Sequence, residues 1–285
     1  MDQKAHKERK KHRLVMGLGS GWIYGMGKGG KWKELLPKHI EQFDNDFLIS
    51  VKDISYSCME FLKTICDPSD RMYVDSGGFS LYKDEKKYGK DNPIFQKNCV
   101  AMRRKYLKSL ELLKPKVTFE LDNEFFRYDD DIMSPKNYCR EEVKAILGHY
   151  PVPVFKMHQG FQYWQQLCES DEYDILSIGG LAQTREWHVY RDEIKIMMDY
   201  ARAHNKKVHL LGCQNIETFK MVQPDTVDYN IFQLCINLRE AHEEHPEIGP
   251  EHGFNAISRH AILWALARAK VRTFFYDSYQ VSNEE

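Results

Sequence analysis

The sequence predicts an α/β protein, a (β/α)8 barrel in a single catalytic domain. Three observations predict it. Eight short apolar or β-branched runs alternate with longer stretches of helical spacing, which implies parallel strands joined by crossovers. The chain has 285 residues, and one such barrel needs about 250. Finally, aspartates, glycines and amides gather just after the apolar runs, where barrels of this type carry their chemistry. A doubly wound open sheet is the architectural alternative.

The strands are expected at 14–19, 47–51, 72–75, 117–122, 152–157, 175–179, 208–212 and 226–230. Before the first lies a basic arm, residues 1–13, carrying Lys4, Lys7, Arg9, Lys10, Lys11 and Arg13 against Glu8. Such an arm could follow phosphates, although a solvated terminus explains the same residues. Residues 14–285 then form the barrel. Residues 17–30 hold seven glycines, but the dinucleotide-binding spacing is not met, so they are expected to form a loop at the barrel mouth. Residues 92–114 show apolar residues three and four apart, with Pro93 near the start. Residues 134–150 open with Ser134 as a candidate N-cap and Pro135 just inside. Further helices are expected over 184–205, 215–222 and 255–270.

Composition excludes several classes. Hydrophobic residues make up 42% and charged residues 29%, a globular balance. No apolar run reaches the length of about 18 residues that a membrane helix needs, and the basic N-terminus has no apolar core for a secretory signal. Seven cysteines, with no close pair, read as reduced thiols of a cytoplasmic protein. Net charge is −1, so overall charge makes no case for nucleic acid.

The ends of the predicted strands are richer. The run 72–75 leads into Asp75-Ser76-Gly77-Gly78-Phe79. The run 117–122 stops at Asp122. The run 152–157 is followed by His158-Gln159-Gly160, and 175–179 ends in Gly179-Gly180-Leu181-Ala182. Asp228 lies near the end of the eighth run. Any one of these is commonly a turn; several in order at one mouth make a site. Carboxylates converging there suit displacement at an anomeric carbon, where one attacks or stabilises an oxocarbenium ion and another manages protons. Gln159, Asp122 and the Gly180 backbone could read the edge of a purine, and Phe79 could stack on its ring. Met157 and His158 could border it. His209 reads as an interior histidine, Cys213 as a buried thiol, and Trp164, Trp187 and Trp264 as core residues.

These residues also carry a resemblance. Asp75-Ser76-Gly77-Gly78-Phe79, His158-Gln159-Gly160, Ile178-Gly179-Gly180-Leu181-Ala182, Leu210-Leu211-Gly212 and Asp225-Thr226-Val227-Asp228 resemble, in order, the active-site segments of the queuine and archaeosine tRNA-guanine transglycosylases. The resemblance spans roughly residues 72–230. It implies Asp228 as the nucleophile that expels guanine and forms a covalent sugar ester. Asp75 would be the general acid/base. Asp122, Gln159, Gly179, Gly180 and Leu181 would bind the base, with Ser76 beside them and Phe79 stacking. The replacement base would then attack the ester, giving net retention without a redox or organic cofactor. The target base must leave its helical stack to be reached.

The departures choose the branch. The tRNA enzymes hold zinc through closely spaced cysteines and a histidine after the nucleophile strand. This chain has only Cys235 there, and His242, His245, His252 and His260 lack ligand spacing with it. No structural zinc and no zinc-binding module are therefore expected. Ser80 stands where the tRNA enzymes carry Gln. A compact barrel without the module is similar to the DpdA-type transglycosylases, bacterial and phage-encoded, that insert 7-deazaguanine derivatives into DNA. DNA is the expected partner, in the cytoplasm or a phage host's cytoplasm. The alternatives are a tRNA enzyme, a non-catalytic partner subunit and a nucleosidase that releases free base. Arg103, Arg104 and Lys105 would suit either polymer. The base inserted and the oligomeric state stay open.

Overall fold

A computed structural model describes residues 14–17, 46–181, 186–213 and 215–229. The expected basic arm, most of the 17–30 glycine segment, Ala182, Cys235, the histidines from His242 on, Trp264 and the 255–270 helix lie outside them.

Eight strands form one parallel sheet: β1 (Leu14–Gly17), β2 (Phe47–Ser50), β3 (Met72–Asp75), β4 (Val117–Thr118), β5 (Val154–Phe155), β6 (Ile175–Ile178), β7 (Lys207–Leu210) and β8 (Thr226–Tyr229). Sequence neighbours pair except β4 with β5, and β1 also pairs with β8, so the order runs β4-β3-β2-β1-β8-β7-β6-β5. The two outer strands approach one another. Phe119 bridges Val152 in parallel, Val152 N donates to Thr118 O at 2.8 Å, and Glu120 N donates to Val152 O at 3.0 Å.

The described helices are α1 (Tyr56–Ile65), α2 (Pro68–Arg71), α3 (Gly78–Tyr88), α4 (Pro93–Leu113), α5 (Arg140–Leu147), α6 (Phe161–Glu169), α7 (Arg191–Ala203) and α8 (Ile216–Val222). Their ends follow local chemistry. Asn92 accepts from Ile94 N at the start of α4, and Lys114, at φ 46°, ends it. Asn215 accepts from Thr218 N at 2.8 Å at the start of α8.

Strands β2 to β7 bury residues on both faces, as parallel sheets require. One face, with Ile49, Val74, Val208 and Val227, packs on Leu110, Trp164, Met198 and other helix residues in the large core. The other face makes a smaller core from strand residues and their extensions alone: Val15, Leu48, Tyr73, Val117, Phe119, Val152 and Val154.

Two expected elements change. The runs 117–122 and 152–157 yield ladders of only two residues each. Pro151 and Pro153 lack the N–H groups that a ladder needs. The helix expected from Ser134 begins at Arg140 instead. Asn137 accounts for this: it is fully buried, its carbonyl accepts from Tyr128 N and Asp129 N, and its amide donates to Asp129 O and Asp131 O. Four bonds to a loop hold the segment out of a helix, and Tyr138 and Cys139 take positive φ.

Candidate functional site

The C-terminal ends of β3 to β8 assemble the site. Asp75 is the last residue of β3 and the register partner of Ser50 on β2. Its carboxyl accepts from the Ser50 side chain and the Gly77 N–H. Burial nevertheless pushes its pKa up to about 7, with the negative charges of Asp122 and Asp228 adding to the rise. Asp75 thus feels the charges of two aspartates far from it in sequence.

The turn after β3 explains its glycines. Gly77 sits at φ 82°, a conformation open to glycine. At Gly78 a Cβ would lie 2.0 Å from Asp122 Oδ1, so the residue after the turn must be bare for the carboxylate to fit. Ser76 is buried, and its hydroxyl accepts from Gly78 N at 3.4 Å. It braces the turn.

A cavity of about 340 Å³ opens beside this turn, lined by Gly78, Phe79, Asp122, Lys156, Gly180 and Leu181 among others. Gly179 also lines it, and there a Cβ would lie 2.7 Å from Val154 Cγ1. Gly180, at φ 84°, carries the turn onward. Met157 and His158 lie in the wall too. Phe79 stacks on Tyr82 with ring centres 6.5 Å apart, and Lys83 Nζ lies 4.3 Å from its centre. Asp75, Ser76, Gln159 and Asp228 are not in the cavity wall. The charges of Asp122 and Asp228 both act on Asp75, which joins the cavity to the strand β8.

Gln159 is placed differently from the expectation. It lies in a short 3-10 turn, and its Oε1 accepts from Lys156 N at 2.8 Å. The cation two residues beyond the reach of the motif, Lys156, takes the wall position. Its Nζ lies 3.2 Å from Asp122 Oδ2 and also donates to Asp122 O. Burial works against its charge, but Asp122 more than offsets this and raises its pKa. The sequence signal was available: Lys156 directly follows the apolar run Val152-Pro153-Val154-Phe155.

On the far side, Asp228 Oδ1 accepts from Gly212 N at 2.6 Å and from His209 Nε2 at 3.1 Å. His209 and Cys213 are fully buried, as expected. Burial pushes the Cys213 thiol up to about 12, which leaves it inert at neutral pH. Asp225 serves the fold: its Oδ2 accepts from Val208 N at 2.8 Å. Arg103 pairs with Glu142 and Lys105 Nζ donates to Lys52 O, so part of that basic cluster is engaged within the protein. Trp164 and Trp187 are core residues.

Among the described residues, no three His, Cys, Asp or Glu side chains are grouped to hold a metal ion. Nor is any described helix long and apolar enough to cross a membrane. The six described cysteines are free thiols. Set against protein-family models, curated proteins and solved structures, the chain matches none of them.

Proposed function

We propose that this protein is a guanine transglycosylase on a closed (β/α)8 barrel, exchanging guanine in DNA for a 7-deazaguanine derivative. Closure is supported by the β1–β8 pairing, which leaves β4 and β5 as the two ends of the sheet, by the Phe119–Val152 bridge beside those ends, and by an inner core drawn from strands alone. The exchange is supported above all by one observation: the site's carboxylates have unequal surroundings. Asp75 is pushed up to about 7, the range in which a carboxyl both gives and takes protons near neutrality. Asp228 Oδ1 is held by two donors, which leaves Oδ2 for attack.

The reaction runs as two displacements. Asp228 Oδ2 attacks the anomeric carbon, the bond from that carbon to guanine nitrogen breaks, and its electron pair goes to the base. Asp75 donates its proton to that nitrogen. The 7-deazaguanine then binds and gives its ring N–H proton to Asp75. Its nitrogen attacks the same carbon, the ester bond breaks, and Asp228 recovers its carboxylate. Two inversions give retention. Asp122 accepts from the donor edge of the base, Lys156 Nζ donates to its acceptor edge, and Phe79 stacks on the ring. Lys156 fills the role expected for Gln159.

The branch that acts on DNA is favoured because Cys235 has no closely spaced cysteine partner. The experiment supplies radiolabelled duplex DNA and, separately, tRNA with a panel of 7-deazaguanine bases, with Asp228→Ala as control. Release of label from DNA that requires Asp228 is the expected result. Release from tRNA alone moves the protein to the tRNA branch. Release of free guanine without uptake of a new base makes it a nucleosidase. No release from either overturns the enzyme reading.

A further inference from the structure

His209 lies in β7 and is fully buried. Its register partner on β8 is Thr226. Side chains two apart on a strand share a face, so Thr226 and Asp228 stand together beside the imidazole. The ring spans both: Nδ1 is 2.8 Å from Thr226 Oγ1 and Nε2 is 3.1 Å from Asp228 Oδ1. Thr226 is also hydrogen-bonded to the Tyr73 side chain. The ring packs at 4.9 Å from Phe119 and 5.8 Å from Tyr73, centre to centre.

The direction of this chain follows from donor and acceptor counts. A carboxylate only accepts, so Nε2 carries the proton. Nδ1 of the neutral ring is then an acceptor, and Thr226 gives it the hydroxyl proton. Three side chains form one directed relay, Thr226 to His209 to Asp228, beside Tyr73 and Phe119 of the inner core. Polar groups in such a place cost free energy unless all are satisfied.

We propose that His209 is the positioning residue for Asp228, with Thr226 fixing its tautomer. The proposal rests on the transglycosylase reading, in which Asp228 is the nucleophile. With Gly212 N–H, His209 Nε2 fixes Oδ1 and so aims Oδ2 at the sugar. When the ester breaks, the electron pair returns to the carboxylate, and the same two donors receive its charge. The imidazole itself forms and breaks no bond.

The test compares base exchange by the wild type with His209→Leu, His209→Gln and Thr226→Val. Outer partners that orient metal ligands typically alter activity by 10- to 100-fold, and a partner that orients a nucleophile is given the same scale. His209→Leu is expected to lower kcat by roughly 100-fold with little change in KM for the incoming base. His209→Gln, which can place an amide N–H near the Nε2 position, is expected to recover most of the loss. A wild-type kcat in His209→Leu overturns the proposal, as does an equal loss in His209→Gln with unchanged unfolding midpoints. A second readout needs no activity. Nitrogen-15 NMR of the wild-type imidazole should show proton on Nε2 and a bare Nδ1, and Thr226→Val should disturb that pattern. Proton on Nδ1 alone overturns the relay even where His209→Leu fails to fold. A wild type that shows the expected tautomer but exchanges no base locates the failure in the transglycosylase reading, and the positioning role falls with it.

Discussion

Asp75 is a carboxyl whose ordinary pKa is near 3.8, held at about 7 chiefly by burial and then by two neighbouring aspartates. Its folded-state proton is bound more tightly than its unfolded one. Stability is therefore lost as pH rises from about 4 to about 7, and the loss is constant above that. Asp75→Asn should remove a penalty on the order of 4 kcal/mol at pH 8 at most, and much less at pH 4. Denaturant unfolding of both proteins at the two pH values measures it. The same variant should abolish exchange, while wild-type guanine displacement should fall as pH climbs past about 7, because the acid form is then lost. Lys156 makes a second prediction. If it meets the acceptor edge of the base, Lys156→Met should raise KM for the incoming base by roughly 30-fold, the equivalent of about 2 kcal/mol for a charged hydrogen bond. Steady-state kinetics over a range of base concentrations checks it. An unchanged KM would return Lys156 to the plain role of partner to Asp122. Asp75, Asp122 and Asp228 stood out in the sequence, because a carboxylate at or near the end of an apolar run is conspicuous. Which amide or cation faces the cavity was not legible, because a 3-10 turn of three residues decides whether Gln159 or Lys156 points there.

Elements hold these residues through a few close contacts. Between β4 and β5 the backbone ladder is short, and a side chain extends it. Glu120 is buried, its Oε1 accepts from Val154 N at 2.8 Å, and its Oε2 pairs with Arg140 Nε at 2.7 Å. Arg140 also donates to Ile132 O and to the Tyr163 hydroxyl. Glu120→Ala strands a buried guanidinium and frees a strand amide, so it should cost about 3–5 kcal/mol. Replacing Glu120 and Arg140 together by Met should cost much less, and urea unfolding separates the two cases. At Gly78 the fault is geometric. Gly78→Ala puts a Cβ 2.0 Å from Asp122 Oδ1, so the carboxylate must move. Exchange should drop by roughly 100-fold while the unfolding midpoint changes little. Periodicity and caps foretold α4 and α8 to within a residue or two at each end, since those signals are local. The late start of α5 was hidden because Asn137 is committed to a loop eight residues upstream, a contact no window of sequence spacing contains.

At the scale of the molecule, the proposed closure makes β4 and β5 interior strands. Hydrogen exchange then should find Glu120, Val152 and Val154 amides protected as well as those of β2 and β3. Rapid exchange at these three positions, with slow exchange elsewhere in the sheet, would mean that the outer strands are open edges. The alternation of strand and helix, and hence a parallel α/β sheet with its polar residues at one end, was determined by the sequence alone. Apolar periodicity and the missing long apolar run are properties of short stretches, and short stretches carry them intact. Only the tertiary structure decided that Phe119 bridges Val152, that Asp75 lies within reach of the charges of Asp122 and Asp228, that Lys156 rather than Gln159 walls the cavity, and that His209 is bonded to Asp228. Each depends on residues from different strands brought side by side, and the field, burial and bonding they experience arise from that packing rather than from neighbours in the chain.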